Sequence, residues 1–272
     1  MRTSSNPVFR NLPAQGGYAS FGPGQTGQQS APQGYGQQPY GQPQPYTTGR
    51  TMTVDDVVTK TASTLGALVV TAGISAFLIS QNNSLALPFL LVGGIVGFVL
   101  VLVATLGRKM NPAIVLSYGV AEGLFVGAIS YVLEATTVGT IVPQAVIGTV
   151  GVFVGMLVVY KTGAVRVTPR LTKMVMAGLI GVVVLVVANI IAGFFVDGGL
   201  GLRDGGPLAI IFSLVIIALA AFNLLLDFDQ ADKLIRAGAP EKAAWGVALG
   251  LTVTLVWLYV EILRLLSYFN RG

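Results

Sequence analysis

Long apolar runs separated by short polar breaks fill the chain from Thr61 to Phe269. Seven of them are long enough to cross a bilayer, whose core needs ~20 apolar residues per helix. They cover Thr61–Ser80, Leu85–Leu106, Ala113–Leu133, Thr140–Tyr160, Lys173–Phe195, Leu208–Asp227 and Ala243–Phe269. Lipid offers no water to satisfy backbone N–H and C=O groups, so continuous apolar runs in a membrane must be helical. They lack the period-two alternation of barrel strands. The pattern predicts an all-α membrane protein, a bundle of seven transmembrane helices. A mean hydropathy of +0.76 agrees.

The polar pattern predicts helix ends. Thr53 with Asp56 three residues on forms a capping box with Asp in place of Glu, and Asp55 and Asp56 occupy a first turn where the helix dipole favours anions. A short interfacial turn running into the first span is expected there. In the sixth helix the pattern continues past the apolar run to Arg236, with Gly238 beyond the end and Pro240 after it.

Residues 1–50 are of another kind. From Ala14 to Arg50 the chain is mostly Gln, Gly, Pro, Ser and Thr, with Tyr18, Phe21, Tyr35, Tyr40 and Tyr46 spaced through it. Too few aliphatic residues are present to offset the entropy of ordering. A disordered tail is expected over 1–50, ahead of a transmembrane domain over 51–272. The tail is either a partner-binding segment or a solvated end without a required role.

Charge changes the picture by giving orientation. Basic residues gather in alternate loops: Arg50 and Lys60, then Arg108 and Lys109, then Lys161, Arg166, Arg170 and Lys173, then Lys233, Arg236 and Lys242. The other loops hold Arg203, and Arg271 lies in the C-terminal tail. By the positive-inside rule the N-terminus is cytoplasmic and the C-terminus outside. This asymmetry accounts for the net charge of +5 without a nucleic-acid partner. The first apolar run starts at Thr61 and lacks a short h-region with a cleavage site, so the first helix is expected to act as the insertion signal. Asn82-Asn83-Ser84 matches a glycosylation sequon and reads more simply as a polar turn.

The chain has no cysteine and no histidine. Disulfides, thiol catalysis, zinc-type sites and imidazole acid–base chemistry are therefore excluded. No phosphate loop, dinucleotide fingerprint or nucleophile–base set is present. No cofactor and no enzymatic activity are expected.

Glycines recur at four-residue spacing inside the spans: Gly119, Gly123 and Gly127, then Gly93 and Gly97, Gly151 and Gly155, and Gly246 and Gly250. Small residues let helix backbones approach closely in lipid. Asn189, alone in the fifth span, reads as an interhelical hydrogen bond.

Ionisable groups within spans are expensive, ~2.5–3.5 kcal/mol for Asp near the centre on the insertion scale, and usually face the bundle interior. Glu122 lies roughly 13 Å into the third helix, with Tyr118 one turn back on its face. It is either a titratable group on an ion route or a hydrogen-bonded lock between helices. In the sixth helix Asp229 has Lys233 at i+4 and Asp232 has Arg236 at i+4, the favourable order for surface pairs. Asp227 has Ala231 there instead, and with Asn223 one turn deeper it makes a polar strip facing the bundle. In the last helix Gly250, Thr254, Trp257, Glu261, Arg264 and Tyr268 fall near one face, the stripe expected of a helix buried inside a bundle. Glu261 either lines a pathway or pairs with Arg264.

Two segments and the overall layout carry a family resemblance. They are Leu226-Asp227-Phe228-Asp229-Gln230-Ala231-Asp232, the closing Trp257-Leu258-Tyr259-Val260-Glu261-Ile262-Leu263-Arg264-Leu265-Leu266, and the seven-span layout itself. The chain resembles the Bax inhibitor-1/YccA-like family. Ser4-Ser5-Asn6-Pro7-Val8-Phe9-Arg10 and the Asp55-Asp56 helix start are similar to an actinobacterial branch. The resemblance implies a bundle with a central last helix and a pH-sensitive calcium leak across the bacterial plasma membrane. In that scheme aspartates of helices six and seven pair at the gate. Asp227 matches the first position and would be the transient calcium ligand. The second falls on Glu261 by the Leu-Tyr-Val-Glu pattern, or on Thr254 by alignment of the Leu-Leu-Arg-like end. The expected partners are the bilayer, calcium ions and protons. The family also includes members that bind a membrane protease, so a non-transporting regulator of other membrane proteins is the alternative.

Overall fold

The computed structural model describes residues 50–107, 110–196 and 198–270. The tail expected to be disordered, apart from Arg50, lies outside the described residues, as do Arg108, Lys109 and Arg271. Among the described residues seven α-helices follow one another: α1 Val54–Gln81, α2 Ala86–Leu106, α3 Pro112–Glu134, α4 Val142–Thr162, α5 Pro169–Gly193, α6 Pro207–Arg236 and α7 Ala243–Phe269. All seven are long and apolar enough to span a membrane.

Local chemistry sets their ends. Thr53 Oγ1 accepts from Asp56 N at 3.3 Å while Asp56 Oδ2 accepts from Thr53 N at 2.9 Å, which completes the capping box. This cap opens α1 itself at Val54, so no separate interfacial turn precedes the span. Asn111 and Thr168 cap α3 and α5, each followed by proline, whose missing N–H removes nothing from a first turn. Gly163 ends α4 with φ +68°, and Gly238 follows α6 with φ +64°, the left-handed conformation that glycine adopts without strain. Asn82 Oδ1 accepts from Ser84 N at 3.1 Å in the polar turn between α1 and α2.

The connections show which helix ends share a face. Met52 N donates to Ala239 O at 2.8 Å and Glu241 N to Arg50 O at 2.9 Å, so the start of α1 lies beside the α6–α7 connection. Val138 N donates to Asn270 O at 2.9 Å, which places the α3–α4 connection beside the end of α7. An odd number of spans thus carries the described chain from one face to the other.

α7 is the central helix. The central stretch of α7 is 67% buried within the protein, against 11% for α4 and α5. It packs against α1, α3, α4 and α6. The core around it joins Leu224 and Phe228 of α6 to Val247, Leu251, Leu255 and Leu258 of α7. On the other flank Leu68 and Val126 meet Val256 and Val260.

Glycine makes the α1–α3 seam. A Cβ on Gly119 would stand 2.8 Å from Thr64 O, and one on Gly123 would stand 2.5 Å from Leu68 O. One on Gly127 would overlap Ala72 O. The ridge lies on the α1 backbone turn by turn, and Ser75 Oγ donates across it to Leu124 O at 3.0 Å. Gly93 seats α2 against Phe125 and Ala121 in the same way. Gly151 and Gly155 differ from this expectation, because nothing lies within 4 Å of where their Cβ atoms would be. Their spacing is that of a packing ridge, but among the described residues no backbone is pressed against them.

A candidate ion-pathway site at the α6–α7 interface

Two polar clusters lie on α7, about 10 Å apart along its axis at ~1.5 Å per residue. The first is nearer the face where α1 starts. Thr254 Oγ1 donates to Asp227 Oδ2 at 2.6 Å and accepts from Asn223 Nδ2 at 2.9 Å. Asn223 Nδ2 also lies 3.4 Å from Asp227 Oδ2. The i, i+4 spacing on α6 stacks Asn223 and Asp227 on the side facing α7. Gly250, one turn before Thr254, leaves room for the carboxylate, whose Oδ1 would be 3.9 Å from a Cβ there. Thr254 is buried, whereas Asp227 and Asn223 are half-buried.

The second cluster is nearer the opposite face. Glu261 Oε2 accepts from Arg264 Nη1 at 2.5 Å, and Glu261 Oε1 accepts from Ser213 Oγ at 2.7 Å. Glu261 is only 2% exposed, so its pairing decides whether it can be accommodated at all. Arg203, from the α5–α6 connection, lies within electrostatic reach of Glu261, Arg264 and Tyr268. Burial and then the neighbouring Arg264 charge push its guanidinium below its usual range.

The structure therefore separates the two residues competing for the second gate position. Thr254 touches Asp227. Glu261 does not, since it is two helical turns further along and committed to Arg264 and Ser213. Among the described residues no second carboxylate is bonded to Asp227.

Glu122 stands apart from both clusters. It faces α2, where a Cβ on Gly97 would overlap its Oε2, and it joins neither Asp227 nor Glu261. Tyr118, buried one turn before it, packs with Ala104, Val115 and Leu249. Asp229 and Asp232 form the expected surface pairs, with Lys233 at 2.5 Å and Arg236 at 2.9 Å. Tyr160 of α4 also donates to Asp232 Oδ2 at 3.2 Å.

Two residues have roles that spacing did not indicate. Lys60 counts among the cytoplasmic charges in the sequence, yet it is buried in α1. Its Nζ donates to Glu241 O at 2.9 Å and Glu241 Oε1 at 3.0 Å and lies 5.7 Å from the Trp245 ring centroid. The signal available was its place about two turns inside a capped helix. Asn189 makes no interhelical bond. Its Oδ1 accepts from Leu200 N at 2.9 Å and Leu202 N at 3.4 Å, which ties down the connection after α5.

Among the described residues no group of three or more Asp or Glu side chains comes together as a metal cage. Asp227 is thus a half-buried carboxylate held by the Thr254 hydroxyl, with the Asn223 amide N–H beside both.

The fold and this site define a class, a multi-pass helical membrane protein with a half-buried carboxylate held against a central helix. The sequence profile described as Bax inhibitor 1 like matches residues 6–271, and the chain belongs to that family. No curated protein matches it.

Proposed function

We propose that the protein is a pH-sensitive leak pathway or exchanger for calcium or a similar cation, with Asp227 as its gate. The observation that carries this reading is the Asp227–Thr254–Asn223 cluster at the contact of α6 with the central α7. Intramembrane carboxylates facing a bundle interior mark ion routes. Calcium is a hard cation that takes six to eight oxygen ligands. One carboxylate and one hydroxyl are too few oxygen ligands to store it, and they suit brief passage.

Proton binding at Asp227 removes the charge that attracts a cation. Where the proton sits on Oδ2, it also turns that oxygen from acceptor to donor, and Thr254 gives up its donation there. The α6–α7 contact is thereby coupled to pH through a single carboxylate and a hydroxyl, in place of a carboxylate pair. The role is transport and not enzymatic. The basic loops favour a cytoplasmic N-terminus in the cell membrane, with the C-terminus outside.

The test is purified protein in liposomes loaded with a calcium-sensitive dye. Flux that varies with pH is expected. Absence of flux at every pH overturns the reading and favours a regulator that binds other membrane proteins.

A further inference from the structure

A groove of about 480 Å³ runs between α5, α6 and α7 on the outside of the bundle. Leu179, Val183 and Val186 of α5, Ile216 of α6 and Trp257 of α7 line it, and Arg203 stands beside them. The α5 residues recur at three- and four-residue spacing, so one face of that helix forms a wall. Leu179 lies near the middle of α5, and Arg203 belongs to the connection that follows its C-terminal end. The groove therefore extends from mid-membrane toward the interfacial level, apolar along its length and basic at one end.

Charge at that end is unbalanced. Two guanidiniums, Arg203 and Arg264, lie near one carboxylate, Glu261. Glu261 already accepts from Arg264 and from Ser213. Among the described residues no carboxylate forms an ion pair with Arg203, and its Nε is buried without a hydrogen-bond partner. A guanidinium without an ion pair at the end of an apolar groove is complementary to an anion carrying a hydrocarbon chain. The volume is within the range of small-molecule sites, ~300–1,000 Å³. Basic pockets between transmembrane helices bind anionic lipid head groups on the same physical grounds.

We infer that this groove binds an anionic phospholipid, with an acyl chain along the α5 wall and the phosphate on Arg203. The lipid would complete the thin contact of α5 with the bundle and neutralise the surplus positive charge beside Glu261. A soluble phosphate shares only the head-group chemistry and lacks the chain.

The test is thermal unfolding of the full chain in detergent with added phosphatidylglycerol, phosphatidylcholine or glycerol phosphate. Phosphatidylglycerol is expected to raise Tm by about 5 °C more than phosphatidylcholine, and glycerol phosphate to have no effect. Arg203→Gln should abolish the difference between the lipids. Val183→Trp keeps Arg203, fills the groove from a position 61% exposed, and should abolish it as well. That second variant decides the matter if Arg203→Gln does not fold. Equal shifts from both lipids in the unaltered protein, a full effect from glycerol phosphate, or a lipid preference surviving in either folded variant would overturn the proposal.

Discussion

Asp227, Asp229 and Asp232 lie within two turns of α6, yet their surroundings assign them different work. Asp229 and Asp232 are bonded to Lys233 and Arg236 on the exposed end of the helix. Such surface pairs contribute roughly 0–1 kcal/mol. Among the described residues Asp227 has no basic partner, and it is bonded to Thr254 of the central helix. Asp227→Asn should therefore change the pH response of calcium flux in liposomes, while Asp229→Asn and Asp232→Asn leave it nearly unaltered. Equal effects from all three would remove Asp227 from the gate. Glu261 gives the contrasting case. Glu261→Gln keeps a partner for Ser213 but leaves Arg264, whose side chain is 17% exposed, without its counter-charge. Breaking a buried pair from one side costs ~3 kcal/mol or more, so a lower melting temperature is expected across the pH range. A variant as stable as the parent would show that the pair is solvated in the membrane.

At the scale of elements, spacing and contact can be separated by experiment. Gly123 and Gly151 both belong to four-residue glycine repeats. A Cβ at Gly123 would stand 2.5 Å from the Leu68 carbonyl, a backbone atom that can move only with α1 itself. A Cβ at Gly151 meets nothing within 4 Å. Gly123→Ala should destabilise the α1–α3 seam by about 2 kcal/mol, in the range of overpacked sites. Gly151→Ala should be neutral or slightly stabilising, because Ala is the better helix former. Thermal unfolding of the two variants side by side is the measurement. Similar losses would mean that a partner outside this chain covers the α4 face.

At the scale of the whole described chain, its start is joined to the α6–α7 connection. Arg50 to Thr53 run along the α6–α7 connection, where Thr51 bridges Pro240 and Met52 is 2% exposed. Arg50 pairs with Asp56 and lies 3.8 Å from Glu241, which also holds Lys60. This strap ties the first span to the connection between α6 and α7. Removing residues 1–48 should leave stability in detergent unchanged, since the strap begins after them. Removing residues 1–53 deletes the buried Met52 and the α1 cap, a loss of ~3 kcal/mol from burial and capping together. A large loss from the shorter deletion would show that the tail packs on the bundle.

The sequence by itself determined the membrane class, the seven spans and most of their ends, because hydropathy, caps, prolines and glycines act locally. It also determined the surface pairs of α6 and the polar stripe of α7, since i+3 and i+4 spacing fixes neighbours on one helix. Only the tertiary structure decided which helix faces which. It chose Thr254 over Glu261 as the neighbour of Asp227, set Glu122 against α2, buried Lys60 beneath Glu241, and left Gly151 without a neighbour. Those outcomes depend on the rotation and depth of one helix against another. No periodicity within a single helix encodes them, because identical spacing faces a backbone at Gly123 and open space at Gly151.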